Sequence, residues 1–293
     1  MNSVPIPVID THLHVWEVDA PWMSWLNDRP ESWQPVRRNF TWPELRGELD
    51  RAGVANVILV QAGMTPLETP QLLQLAAEQA SVLGVIGWAS LRSARATEQD
   101  LGSFERAGSA KLVGIRNNHG WEPDGNVLAA PGVVDSCRVI AERRLTLDLH
   151  FADDTELPLA VSLAARVPDL TCVIDHLGKP RLGNGAAFAS WAASMKQLSA
   201  LPNVYIKYSG WATFVHRVLA ADVRPYIDLV LELFGASRVM YGGNWPVALV
   251  SGSYQQTYQA TLEAIADRSA AELEDILYRT AARCYLRLPG RPF

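Results

Sequence analysis

The chain has 293 residues, 48% of them apolar, and a formal net charge of −5. So much apolar side chain supports a large buried core and argues against disorder. An acidic balance with no basic stripe argues against a nucleic-acid partner. Three scattered cysteines, Cys137, Cys172 and Cys284, predict reduced thiols rather than a disulfide framework. MNSVPIPVIDTHLH has no basic stretch followed by an apolar core, and no long apolar run occurs elsewhere. Together these predict a cytoplasmic protein without a membrane partner.

The first apolar run, VIDTHLH (8–14), reads as a strand with His12 and His14 on one face, because residues two apart share a face. Asp10 falls on that same face, where it could orient an imidazole or cap the packing. Residues 15–40 form a long loop carrying Trp16, Trp22, Trp25 and Trp33. A connection of that length is usually functional, and this one reads as a lid, with a structural flap as the alternative. TWPEL starts a helix, Thr41 serving as N-cap and Glu44 completing a capping box.

The runs VANVILVQA (54–62), VLGVIGWASL (82–91) and KLVGIRNN (111–118) read as the next strands, with a helix over TPQLLQLAAEQAS. PGVVDSCRVIAERR is a helix, LTLDLHF (145–151) a strand, and LPLAVSLAARV a helix again. TCVIDHLG (171–178), NVYIKYSG (203–210) and RVMYGGNWP (238–246) complete the strands, separated by helices over AAFASWAASMKQLSAL and RPYIDLVLELFG. After the first gap the strands recur about every 30 residues, the size of a βα unit. The pattern predicts one (β/α)8 barrel domain over residues 1–293. An open doubly wound sheet would carry a glycine-rich phosphate loop after its first strand, and none is present.

Four of the six histidines, His12, His14, His150 and His176, fall at the carboxyl ends of predicted strands. A barrel gathers those ends at one rim, so the four rings should converge. Neutral imidazoles suit zinc, and three ligands with one open position make a hydrolytic site whose bound water has a pKa near ~7. His119 and His216 read as surface or packing residues. Gly242 and Gly243 permit a sharp turn that lifts Asn244 off the last strand.

Arg116 and Lys207, near the ends of the fourth and seventh strands, are placed to donate to substrate oxygens. The alternative for both is an ion pair with Asp10 or Asp148 inside the barrel. Trp16, Trp25, Trp88, Trp121 and Trp245 offer flat faces to a sugar or an apolar ring, whereas Trp42 and Trp191 read as core. Among arginines only Arg116 and Arg92 read as near the rim, with Lys179 and Lys207 as further cations. That scarcity favours a neutral ligand over a dicarboxylate.

The strings VIDTHLHVW, VILVQAG, GIRNN, VIDHLGKP, VYIKYSG and VMYGGNWPV, with RTAARCYLRL near the end, resemble the amidohydrolase-2 branch of the amidohydrolase superfamily. More narrowly, the chain is similar to sugar-lactone (fucono- and rhamnono-lactone) and pyrone-dicarboxylate lactonases, over essentially its whole length. The resemblance implies a barrel with its site at the carboxyl rim and a small-molecule lactone as partner. It matches His12 and His14 to a first-strand ligand pair, His150 to a third ligand of metal-dependent relatives, and His176 to a histidine that touches substrate or metal. One divalent metal, zinc, is implied, although pyrone-dicarboxylate lactonases work without metal and lack the fifth-strand histidine.

The resemblance also places an aspartate, the acid–base that serves the attacking water, where this chain has Asn244. Asparagine keeps the shape but cannot take up a proton, so the chain reads as a weakened or substrate-trapping form of a lactone hydrolase. Catalysis would then fall to His176 and position 244. Two other readings stand beside it: a decarboxylase of an acidic aromatic substrate, detected by released carbon dioxide, and a non-catalytic ligand-binding relative.

Overall fold

The computed structural model describes residues 6–108, 110–118, 127–181, 185–215 and 217–287. Its strands are β1 (Ile9–Leu13), β2 (Asn56–Val60), β3 (Val82–Gly87), β4 (Leu112–Asn118), β5 (Thr146–His150), β6 (Cys172–Ile174), β7 (Val204–Tyr208) and β8 (Val239–Tyr241). All pair in parallel with the next in chain order, which makes an eight-stranded sheet curled into a (β/α)8 barrel. The surrounding helices are α1 (Trp42–Ala52), α2 (Glu68–Glu78), α3 (Ala94–Gly108), α4 (Val133–Glu142), α5 (Leu157–Arg166), α6 (Gly185–Ser199), α7 (Trp211–Val215), α8 (Ala220–Phe234), α9 (Tyr254–Ala264) and α10 (Ala270–Glu274).

The strands are apolar on both faces because each face meets a core. Ile9, Ile58, Val60, Ile86, Val173 and Met240 pack together inside the barrel, against Tyr278 and Tyr285 of the closing segment. Val57, Leu59, Val85 and Leu149 face outward onto helix residues such as Leu45, Leu72 and Phe104. Helix α3 escaped the sequence reading because its buried residues, Thr97, Leu101 and Phe104, are too few to mark an apolar stripe. The three cysteines are free and buried, and burial pushes the Cys137 thiol up to about 12. Among the described residues no helix is long and apolar enough to cross a membrane.

The seam between β8 and β1 is closed just beyond β8. The Asn244 N–H donates to the His12 carbonyl at 2.7 Å, and the His14 N–H donates to the Trp245 carbonyl at 2.8 Å. Position 244 is thereby locked to the histidine strand through the backbone. The same region corrects the reading of Asp10. The register of β1 against β2 shifts between Asp10 and Leu13, so the alternation changes partway along the strand. Asp10 instead accepts the N–H of Gly243 at 2.8 Å, that of His12 at 3.0 Å and the Tyr254 hydroxyl at 2.8 Å. It ties the strand to the turn and to α9, and touches no imidazole.

Residues 15–40 fold back over the rim as two 3-10 turns, Pro21–Leu26 and Glu31–Val36. Paired backbone hydrogen bonds of 2.9 Å between Trp16 and Phe40 close the neck of this lid. Thr41 does stand at the N-cap of α1, but its hydroxyl makes no capping bond. Glu44 is drawn instead to Arg38, at 2.6 and 3.0 Å, and the capping box is not formed.

Candidate active site

A cavity of about 600 Å³ opens at the carboxyl ends of the strands beneath the lid. His14, His150, His176, Arg116 and Asn244 line its floor, with Trp16, Trp25 and Trp33 forming the lid wall. His12 lies directly below, fully buried. Ring centroids are 4.4 Å apart for His12 and His176, 5.0 Å for His12 and His14, and 5.4 Å for His150 and His176. Four imidazoles from strands one, five and six thus share one rim.

All four rings are neutral. Burial, reinforced by nearby cations, pulls His14 down to about 3 and holds His12, His150 and His176 well below the ordinary histidine range. Their hydrogen bonds fix two of the tautomers. The Val60 carbonyl lies 2.8 Å from His14 Nδ1, which therefore carries the hydrogen and leaves Nε2 as an acceptor. Arg116 can only donate, and its Nη1 lies 3.2 Å from His12 Nε2. His12 then bears its hydrogen on Nδ1, facing Asp175 Oδ1 at 3.4 Å.

His176 is presented by unusual backbone. His176, Leu177, Gly178 and Lys179 have φ of 55°, 55°, 69° and 47°. Left-handed backbone costs about 1–2 kcal/mol at each non-glycine residue. Offsetting contacts hold the turn: the Trp191 indole donates to the Leu177 carbonyl at 2.7 Å, and Ser209 Oγ meets His176 Nδ1 at 2.9 Å. Gly210 makes room for the ring, since a Cβ there would lie 2.4 Å from His176 Nδ1, and its φ is +62°. Gly210→Ala should displace His176 and cost about 1–3 kcal/mol through overpacking. Urea unfolding checks the stability.

Several sequence-level assignments move. Lys207 does not reach the cavity: its ammonium lies within the barrel, 2.5 Å from Asp148, 3.3 Å from Asp175 and 3.4 Å from His12 Nδ1. A strand position two residues short of the rim buries it, and the ion pair with Asp148 is its role. Arg116 does line the cavity, and it also donates to the Gln61 carbonyl. Trp245 is buried beneath the lid against Phe40, 5.1 Å between ring centroids, and Trp88 is half-buried away from the lining. Trp16 and Trp25 do line it. His119, Trp121 and His216 lie outside the described residues.

Other contributors carried no sequence pattern. Arg29 and Trp33 come from the aperiodic lid, while Arg181 and Asp153 come from loops after β6 and β5. Asp175 could have been found, since it directly precedes His176. Ligand atoms of His12, Asp175 and His176 all lie within 4.8 Å of one another. Among the described residues both Asp175 oxygens are buried without a hydrogen bond, and they meet His12, Lys207 and Arg116 at 3.4, 3.3 and 3.6 Å. Two neutral imidazoles and a carboxylate suit a divalent ion such as zinc, so the residues fit a metal. This grouping differs from the sequence expectation of His12, His14 and His150. Arg116 competes with an ion for His12 Nε2.

A family model described as amidohydrolase matches residues 9–287 of the chain. The chain belongs to the amidohydrolase family. Among similar amidohydrolases is an L-fucono-1,5-lactonase of Burkholderia ambifaria, 32% identical over 247 residues, spanning 84% of this chain and 82% of that one. An L-fucono-1,5-lactonase of Burkholderia multivorans is 31% identical over 290 residues, spanning 94% and 95%. An amidohydrolase from Burkholderia multivorans solved with bound zinc has a TM-score of 0.87 at 30% identity, covering 97% of this chain and all of the other.

Proposed function

We propose that this amidohydrolase opens a sugar lactone by attack of water on the ring ester. One observation carries the reading: three neutral imidazoles with a fourth, His12, just beneath them, a guanidinium and position 244 converge on one walled cavity, in a chain about 31% identical to L-fucono-1,5-lactonases along most of its length. The tryptophan wall would cover a sugar's C–H face. Arg116 would donate to the carbonyl oxygen as negative charge builds on it, joined by His176 only while its Nε2 carries a hydrogen rather than an ion. His14 Nε2, left as an acceptor by Val60, would orient the attacking water. Water adds to the carbonyl carbon, the ring C–O bond breaks, and the ring oxygen leaves as a hydroxyl. The product carboxylate and one proton remain at neutral pH. Asn244 can hold the water through its amide oxygen but cannot relay the proton, which would make the chain slow as written.

His12, Asp175 and His176 would hold a zinc ion. When bound, it would supply Lewis-acid polarisation beside the carbonyl. Titration with zinc should register about one equivalent, and Asp175→Asn should weaken binding about tenfold or more, read by equilibrium dialysis with elemental analysis. Proton release on addition of sugar lactones tests the function. Binding without any proton release, in the chain and in its Asn244→Asp form alike, would remove the lactonase reading.

A further inference from the structure

Glu68, the first residue of α2, is a carboxylate only 3% exposed that does not line the cavity. It reaches back to the segment leaving β2 and accepts two successive backbone N–H groups. Ala62 donates to Oε1 at 2.8 Å and Gly63 to Oε2 at 2.7 Å. Burial pushes this carboxyl up to about 7, against the downward pull of those two donors and of the Arg116 charge. The lid bears on the same segment from the other side. A Cβ at Gly63 would lie 2.5 Å from Trp22 Cδ1 and 2.7 Å from Trp22 Cβ, so the close approach requires glycine. Glutamate and indole together clamp residues 62 and 63.

Immediately before them, Gln61 grips Arg116. Its backbone carbonyl accepts from Arg116 Nη2, its side-chain oxygen stands 3.4 Å from the same nitrogen, and its amide donates to the Arg116 carbonyl at 3.3 Å. The Gln61 carbonyl and the Ala62 N–H belong to one planar peptide unit, so fixing the N–H fixes the direction of the oxygen. That peptide lies between an anion and a cation. Its N–H is turned to the carboxylate and its oxygen to the guanidinium, an orientation that both charges reinforce. We propose that Glu68 is a positioning residue: through the peptide joining Gln61 to Ala62, it sets where the Arg116 guanidinium stands against the ester carbonyl of the substrate. The inference rests on the lactonase reading and deepens it.

A double-mutant cycle tests it. Glu68→Gln and Arg116→Gln are made singly and together in the full chain and in its Asn244→Asp form. Proton release from sugar lactones, galactono-1,4-lactone among them, is followed. The glutamine keeps one acceptor oxygen and loses the other, at nearly unchanged volume. Glu68→Gln should lower kcat about tenfold or more with KM little changed, the scale of a misplaced contact to the reacting centre. Glu68→Ala, which keeps neither oxygen, should lose more. Once Arg116 is replaced, Glu68→Gln should cost nothing further, because its effect runs through the guanidinium. An equal loss with and without Arg116 would mean that Glu68 serves the fold alone and overturns the inference, as would an unchanged kcat in both Glu68 variants. Either result leaves the lactonase reading standing. No opening of any lactone by the chain or by its Asn244→Asp form defeats the lactonase reading, and the inference with it.

Discussion

Asn244→Asp is expected to raise lactone hydrolysis by about 10²–10⁴-fold, the usual worth of a positioned general acid–base group. The side chain at 244 lines the cavity and is almost wholly enclosed. Its place is set by the backbone rather than by the amide, through the 2.7 Å bond to the His12 carbonyl. Asn244 has a φ of 55°, left-handed backbone that aspartate tolerates about as well as asparagine. The carboxylate should therefore occupy the amide's position, in a cavity that the Arg116 guanidinium also lines and whose charge favours the ionised form. Because the group acts on the water and the leaving oxygen, the gain should appear in kcat, with KM little changed. Proton release followed at neutral pH over a panel of sugar lactones measures it. An aspartate form that binds lactones but stays inert would place the chain among non-catalytic ligand-binding relatives.

The barrel and the histidine rim were legible because both rest on local, periodic signals. Apolar runs spaced as βα units mark the eight strands, and His12, His14, His150 and His176 sit at their ends. What escaped was set by tertiary context. Whether a strand residue reaches the cavity depends on its depth, so Lys207 fell inside the barrel while Arg116 reached the rim. A single register shift turned Asp10 away from the imidazoles. The lid has no periodicity, so nothing in the sequence distinguished Arg29 and Trp33, which line the cavity, from Trp22, which does not. The rim consequently read as poorer in arginine than it is. Thr41 and Glu44 matched a capping box, but Arg38 offered Glu44 a charged partner and won.

Lys207→Met is expected to destabilise the fold by about 3–5 kcal/mol, the scale of breaking a buried ion pair from one side. The ammonium is fully buried and serves two enclosed carboxylates, Asp148 at 2.5 Å and Asp175 at 3.3 Å. Burial pushes the Asp148 carboxyl up to about 6 even with Lys207 opposing it, and the Tyr285 hydroxyl at 2.8 Å and the Thr146 hydroxyl at 3.2 Å also donate to it. Against the upward push of burial, Lys207, His176 and Arg116 hold Asp175 below the ordinary carboxylate range. Without the lysine, Asp148 must take up a proton or remain charged in an apolar interior. A folded-state pKa raised above the ordinary 3.8 means stability that is full at acid pH and is lost as pH rises through the raised value. The variant's folded pKa lies higher than the parent's, so its loss continues to higher pH. The deficit relative to the parent, read by urea unfolding, should therefore be smaller at about pH 5 than at about pH 8. Adding Asp148→Asn removes the stranded charge and should recover much of the loss at the higher pH, while leaving Asp175 to Arg116. A deficit that is independent of pH and unaffected by Asp148→Asn would mean that the lysine contributes through packing alone.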